Sequence, residues 1–251
     1  MPIRWNTKLA EIERGLILRP AIQQWVEQLD RGLTGQKKAA ATRKKKKWYL
    51  GPSDWELLEE LTKILAIFRD VTLDLSRKGV PTICMTLPLY KHMEQHMRTC
   101  RYNLRGTHTA MLRRALSAGL AKLDVYMAKA LASKYTILGA VLHPAIWLKY
   151  FENHDLWSED VPDRARAELK ELYKEYSSHT SGTDHAAAPS KVKRTGSTSS
   201  IFASAISSKS APVALGTSGK LERYFGGQFP CDSDDDDGDD TDRCLKWWKV
   251  C

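Results

Sequence analysis

Apolar residues recur through the middle of this chain at intervals of three and four, the spacing that places side chains on one face of an α-helix. One such run begins at Trp55 and continues to Leu75, and a longer one extends from Thr107 to Tyr135. The first follows Pro52, and Ser53 and Glu56 there have the spacing of a reciprocal capping box. In the second, Gly119 leaves room for a neighbouring helix to approach closely. Both runs are therefore predicted to be helices.

Shorter patterns continue the helical prediction on either side. Residues 6 to 32 predict two short helices with a kink near Pro20, and residues 162 to 176 predict another helix. Gly32–Thr42 lacks an apolar period and is predicted to be a loop. The fold class is therefore predicted to be mainly α, an array of about six helices over residues 1 to 176.

Four further segments lie between and after these runs. Thr82 to Met97 predicts a turn and then a helix from near Leu87, whereas residues 136 to 142 fit either a continued helix or a short strand. From Ser177 to Gly219, 17 of 43 residues are serine or threonine, which predicts a long disordered linker. Residues 220 to 251 form an acidic tail, with eight aspartates between 232 and 242.

The net charge of +9 arises despite that acidic tail, so the rest of the chain is strongly basic. Such an excess attracts polyanions, and DNA is the partner that we expect. No stretch of about 18 apolar residues is present, so no membrane partner is expected. The five cysteines contain no C-x-x-C pair, and His92 and His96 have no third ligand at a suitable spacing. We expect neither a metal nor a cofactor.

The strongest concentration of positive charge precedes the first long helix. It consists of Lys37, Lys38, Arg43, Lys44, Lys45, Lys46 and Lys47, followed by Trp48. The cations could bind phosphates while Trp48 stacks on an exposed base, or they could be a solvated loop. The same run is typical of a nuclear import signal, which predicts nuclear localisation. Arg113, Arg114 and Lys122 on the polar face of the long helix could contribute further contacts.

Several motifs occur in an order that resembles the hAT superfamily of DNA transposases. They are Arg4-Trp5-Asn6-Thr7, the helix of Trp55 to Phe68, Pro81 to Tyr90, Leu142 to Phe151, Leu221 to Tyr224, and Cys244 to Lys249. In the Leu142 to Phe151 element, His143 and Ala145 stand where the family usually has aspartate and arginine. The resemblance implies the helical insertion region of an RNase H-like transposase.

The resemblance also implies that the catalytic carboxylates of that family lie outside this chain. We therefore expect a DNA-binding remnant without catalytic residues, which is not an enzyme. Trp5 resembles a tryptophan that stacks on a flipped base in the family, and Arg4 and Trp5 are included among the expected DNA contacts. So close to the terminus, an exposed or loosely packed Trp5 is the alternative.

A protein-interaction module is the alternative function. Tyr224, Phe225, Trp247 and Trp248 are the residues that would dock on a full-length transposase or on another nuclear partner. The acidic tail could also fold back onto the lysine run in place of DNA.

Overall fold

The computed structural model describes residues 5–78, 81–143, 145–179 and 220–225, and these form helices and turns without a strand. The predicted mainly α fold class is confirmed. The helices are α1 (Trp5–Ile17), α2 (Arg19–Gln28), α3 (Gly35–Trp48), α4 (Pro52–Leu75), a 3-10 helix (Thr82–Met85), α5 (Thr86–Asn103), α6 (Thr109–Ala132), α7 (Lys134–Val141), α8 (Trp147–Phe151), α9 (Asp160–His179) and α10 (Lys220–Phe225). The expected number of about six helices is too low, because the sequence predicts a loop where α3 lies, leaves α7 open between helix and strand, and predicts no separate helix at α8.

Two compact units make up the chain. The first contains the residues up to Asp70 together with Gln95–Leu120, and the second contains Val71–Glu94 and the residues from Ala121 onward. The division falls within α4, α5 and α6.

In the first unit, α4 supplies Trp55, whose side chain is almost completely enclosed. Its ring lies 5.3 Å from the guanidinium of Arg19 on α2, close enough for a cation–π contact. Arg69 of α4 forms an ion pair of 2.6 Å with Glu13 of α1. Contacts on both α1 and α2 therefore attach the N-terminal helices to α4.

The start of α4 differs from the predicted capping box. The backbone N–H of Gly51 donates to the Asp54 carboxylate at 2.8 Å, so Asp54 and not Glu56 makes the reciprocal bond. Pro52 occupies the first helical position, where its missing N–H costs no hydrogen bond. The helix therefore begins two residues earlier than a Ser53 cap would place it, at Pro52 and not at Asp54.

α5 and α6 approach each other closely in the first unit. A β-carbon added to Gly119 of α6 would lie only 2.6 Å from Cε of Met97 on α5, as expected for a glycine that admits a neighbouring helix. Leu104, Leu112 and Leu116 of the same unit are buried. The connection between the helices includes Gly106, whose φ of 92° is in the region that favours glycine.

In the second unit α7 contacts the 3-10 helix, α8 and α9, and α8 and α9 also contact each other. Residues 136 to 142 fall mainly in α7, so the helical alternative is confirmed; Ser133, with ψ of 120°, separates this helix from α6. The rings of Tyr150, Phe151 and Trp157 pack together with centroid distances of 5.3 to 5.7 Å. The same tryptophan ring lies 5.0 Å from Nζ of Lys91.

α9 covers the predicted helix of residues 162 to 176 and continues to His179, with Asp160 and Asp163 in its first turn. Carboxylates at that position interact favourably with the helix dipole. The remaining predicted linker, 180–219, and the tail beyond residue 225 lie outside the described residues.

Candidate nucleic-acid interface

The basic run lies on a helix, and the prediction of a loop from Gly32 to Thr42 is wrong from Gly35 onward. The prediction relied on apolar periodicity, which this segment lacks. Alanine and lysine have high intrinsic helix propensity, and Ala39, Ala40 and Ala41 precede the cations. Lys45, Lys46 and Lys47 lie in the last turn, where positive charge complements the helix dipole. Propensity and electrostatics therefore favour α3 without a wide apolar face.

Lys45 attaches α3 to the end of α2. Its Nζ donates to Oδ1 of Asp30 at 2.9 Å and to the backbone carbonyl of Glu27 at 3.0 Å. The hydroxyl of Thr42, one turn earlier, donates to the other oxygen of Asp30 at 3.4 Å. The Lys45 hydrogen bond is the main reason why the pKa of Asp30 is lowered from its usual 3.8. Lys45 is thus engaged within the protein.

The remaining cations of the run are exposed. Arg43, Lys44, Lys46 and Lys47 surround the side of α3 that faces away from Asp30, and Lys37 and Lys38 are exposed near its start. With 3.6 residues per turn, Arg43 and Lys47 lie on one line opposite to Lys45. Residues 31 to 50 contain eight cations and no aspartate or glutamate. The outer face of α3 is therefore positive, with no carboxylate in its own segment to offset it.

Trp48 ends this helix beside Trp25, which is not among the predicted contact residues. The rings of Trp48 and Trp25 meet edge to face, with centroids 5.7 Å apart and planes at 74°. Trp48 remains 51% exposed and Trp25 47% exposed. The pair orients Trp48 while leaving half of its surface open.

The other predicted contact residues either lie outside the described part of the chain or contact the protein itself. Arg4 and the side chain of Trp5 lie outside the described residues, as do Trp247 and Trp248. The Tyr224 hydroxyl donates to the backbone carbonyl of Val141 at 2.8 Å, and the Phe225 ring lies 5.5 Å from the guanidinium of Arg166. Both α10 aromatics therefore contact their own chain.

The imidazole of His96 contacts other groups of the first unit. Its Nε2 lies 3.0 Å from the backbone carbonyl oxygen of Lys63 and 3.3 Å from Sγ of Cys100. Burial raises the pKa of the Cys100 thiol, which keeps it protonated at neutral pH. Among the described residues, no group of three or more histidine, cysteine, aspartate or glutamate side chains could hold a metal ion.

A second cluster of cations was not recognised from the sequence. Arg98, Arg101 and Arg105 line a groove together with Arg113, whereas Arg114 is exposed outside its lining. The intervals of three and four between the first three arginines are the signal that could have revealed it. Lys122, in the second unit, lies 5.2 Å from the ring of Tyr126.

The fold and these two clusters define a mainly helical protein with basic surfaces accompanied by exposed aromatic rings. Comparison with protein-family models, with curated proteins and with solved structures finds no match to this chain. No helix in the described ranges combines the length and the apolar character needed to cross a membrane.

Proposed function

We propose that this protein binds DNA through the outer face of α3. The observation that carries the proposal is the inward bond of Lys45 to Asp30, which fixes the rotation of α3 and directs Arg43 and Lys47 away from the protein. A rigid helix presents its charges to phosphates with less loss of side-chain and backbone freedom than a loop. The contacts are to phosphates, so the binding tolerates different DNA sequences.

Trp48 adds an aromatic component at the C-terminal end of α3, beside that face and not on it. Its exposed half can pack against a sugar of the DNA backbone, and Trp25 holds its ring at a fixed angle. Contact with a sugar does not depend on base identity. It strengthens binding without adding sequence preference.

The ordered motifs from Arg4-Trp5-Asn6-Thr7 to Lys246-Trp247-Trp248-Lys249 support a further part of the proposal, that the protein is a nuclear relative of hAT transposases. On this proposal it binds DNA without cutting it. Incubation of the purified chain with supercoiled plasmid and Mg²⁺ or Mn²⁺ tests this part separately. Metal-dependent nicking with turnover would contradict it, whatever the outcome for binding.

The binding proposal is tested by titrating a labelled duplex at several salt concentrations. Each phosphate contact contributes about 0.9 to the slope of log K against log salt, so four contacts on α3 contribute about 3.6. The variant with Arg43, Lys44, Lys46 and Lys47 changed to glutamine should lose most of that slope. A matched variant with Lys44, Lys46 and Lys47 changed to arginine should retain it, because it keeps the charge.

Equal duplex affinity for the neutralised variant and the wild type would overturn the proposal. No binding even at low salt would also overturn it. The protein-interaction alternative would then be favoured, and it predicts a complex with a protein partner that survives moderate salt.

A further inference from the structure

The groove in the first unit is lined mainly by arginines. It lies between the end of α5 and the first half of α6 and has a volume of about 680 Å³, within the range of about 300–1,000 Å³ that ligand sites occupy. Its lining consists of Arg98, Arg101, Tyr102, Arg105, Arg113 and Ser117. Four of these six residues are arginines and none is acidic.

Two of the arginines, Arg101 and Arg105, donate to uncharged groups. Arg101 donates to the Ser117 hydroxyl at 3.3 Å, and Ser117 itself donates to the backbone carbonyl of Arg113 at 2.8 Å. Arg105 donates to the carbonyls of Tyr102 and Leu104, both at 2.9 Å. These bonds orient the guanidinium groups of Arg101 and Arg105 without neutralising them. Residues 95 to 120 contain five arginines and no aspartate or glutamate, and the Glu56 carboxylate approaches the turn at Gly106.

Guanidinium groups at such density suit an anion with several phosphates. Each one offers donors in a fixed fork that matches two phosphate oxygens. The like charges of Arg101, Arg105 and Arg113 repel one another around the groove, and a polyanion would relieve that repulsion. The first requirement of the ligand is therefore more than one negative charge along its length.

Tyr102 indicates which chemical group the ligand carries in addition to its phosphates. Its ring is 78% exposed, although it is a large aromatic side chain in the lining of a charged groove. A cationic groove with an exposed aromatic ring is the arrangement on which single-stranded nucleic acids bind, with phosphates on the cations and a base on the ring. Bases in a duplex are already stacked and paired, so they are not free to occupy such a ring.

The helix connection keeps the two sides of the groove together. Gly106, with φ of 92°, allows a short turn from α5 to α6, and the Arg101–Ser117 bond joins the two helices farther from that turn. The groove is thus formed before a ligand arrives, which reduces the entropy lost on binding.

We propose that this groove binds a single-stranded segment of nucleic acid, with successive phosphates on its arginines and a base stacked on Tyr102. The site uses none of the residues of α3. Binding of single strands here and of duplex on α3 are therefore separate properties, and either can be present without the other.

The test is a fluorescence-anisotropy titration of the full chain with a labelled oligothymidine of about 12 nucleotides and, in parallel, with a labelled duplex. Arg113→Gln should weaken single-strand binding about tenfold and reduce the salt slope by about 0.7, the contribution of one phosphate contact. Arg114→Gln is the matched control, because it removes the same charge from the adjacent position of α6 outside the groove lining. Its single-strand affinity should stay within about twofold of the wild type, because salt screens a charge that makes no direct contact.

Substitutions of Tyr102 form the second part of this test. Tyr102→Ala should weaken single-strand binding about tenfold, whereas Tyr102→Phe should retain it, because stacking needs the ring and not the hydroxyl. Tripolyphosphate serves as a competitor that carries charge without a base. If Tyr102→Ala binds like the wild type and tripolyphosphate displaces the oligonucleotide at equal phosphate concentration, the groove is a general anion site and the proposal is overturned.

Equal effects of Arg113→Gln and Arg114→Gln would also overturn it, since the groove would then contribute only general charge. Circular dichroism and melting temperature establish that each variant is folded. The neutralised α3 variant distinguishes the two sites: it should lose duplex binding and keep single-strand binding. Failure of the α3 proposal is therefore visible on the duplex, and failure of the groove proposal on the single strand.

Discussion

Nζ of Lys45 lies 2.9 Å from Oδ1 of Asp30, so the middle residue of the Arg43–Lys47 run faces the protein. One cation is withdrawn from the surface by this bond. The same bond determines which side of α3 the neighbouring cations occupy. A run of like charges is thus converted into a helix with an attached face and an exposed face.

Lys44 and Lys45 should therefore behave differently although they are adjacent and chemically identical. Lys44→Gln should reduce the salt slope of duplex binding by about 0.9 and leave the melting temperature unchanged. Lys45→Gln should lower the melting temperature, because Asp30 and the Glu27 carbonyl lose their donor. Melting curves and salt titrations of the two single variants provide the comparison. Equal effects in both assays would contradict the inward placement of Lys45.

The Asp30–Lys45 bond should make stability depend on acidity. The pKa of Asp30 is lowered in the folded protein from a usual value of 3.8, so its contribution is fully present above about pH 4. It is lost as the pH falls through the lower, folded pKa and the carboxylate takes up a proton. Urea unfolding of the wild type and Asp30→Asn should show a stability difference at pH 6 that shrinks below pH 4. A difference that stays constant to pH 2.5 would contradict this prediction.

Trp25 and Trp48 should be energetically coupled. An edge-to-face aromatic pair contributes on the order of 1 kcal/mol beyond its buried area. A double-mutant cycle with Trp25→Leu, Trp48→Leu and the double variant, measured by urea unfolding, isolates that term. Strictly additive changes would show that the two rings do not interact in solution.

Two glycines of the first unit should respond in opposite directions to the same substitution. Gly106 has φ of 92°, where an added β-carbon is strained, so Gly106→Ala should destabilise the protein by about 1–2 kcal/mol. Gly15 lies within α1 and nothing lies within 4 Å of an added β-carbon, so Gly15→Ala should stabilise by about 0.5–1 kcal/mol. Urea unfolding measures both. The same sign for the two variants would contradict the assigned backbone conformations.

The Tyr224 hydroxyl should contribute to the attachment of α10. Removal of its bond to the Val141 carbonyl in Tyr224→Phe should cost about 1 kcal/mol, because it leaves a half-buried carbonyl with one partner fewer. Tyr173→Phe, at an exposed tyrosine of α9, is the control and should be neutral in the same urea unfolding measurement. If Tyr224→Phe is also neutral, α10 is not held by this bond in solution, and its aromatics are available to a partner.

The helical class and the positions of the longest helices could be predicted from the sequence. The three- and four-residue spacing around Trp55 is a local property, and each turn of α4 depends on neighbours in the chain. The sequence also predicted where positive charge concentrates, since charge is a property of composition. The sequence did not predict α3 as a helix, because a segment rich in alanine and lysine has no apolar period.

Which charges face the protein and which face solvent depends on how the helices pack. Lys45 is identical to its neighbours in sequence, and it is distinguished by Asp30, which lies fifteen positions earlier and meets it only when α2 and α3 pack. The arginine groove arises in the same way, because Arg101 and Arg113 come together only when Gly106 turns the chain. Helix formation depends on neighbours along the chain, whereas a binding surface depends on residues that packing brings together from different elements.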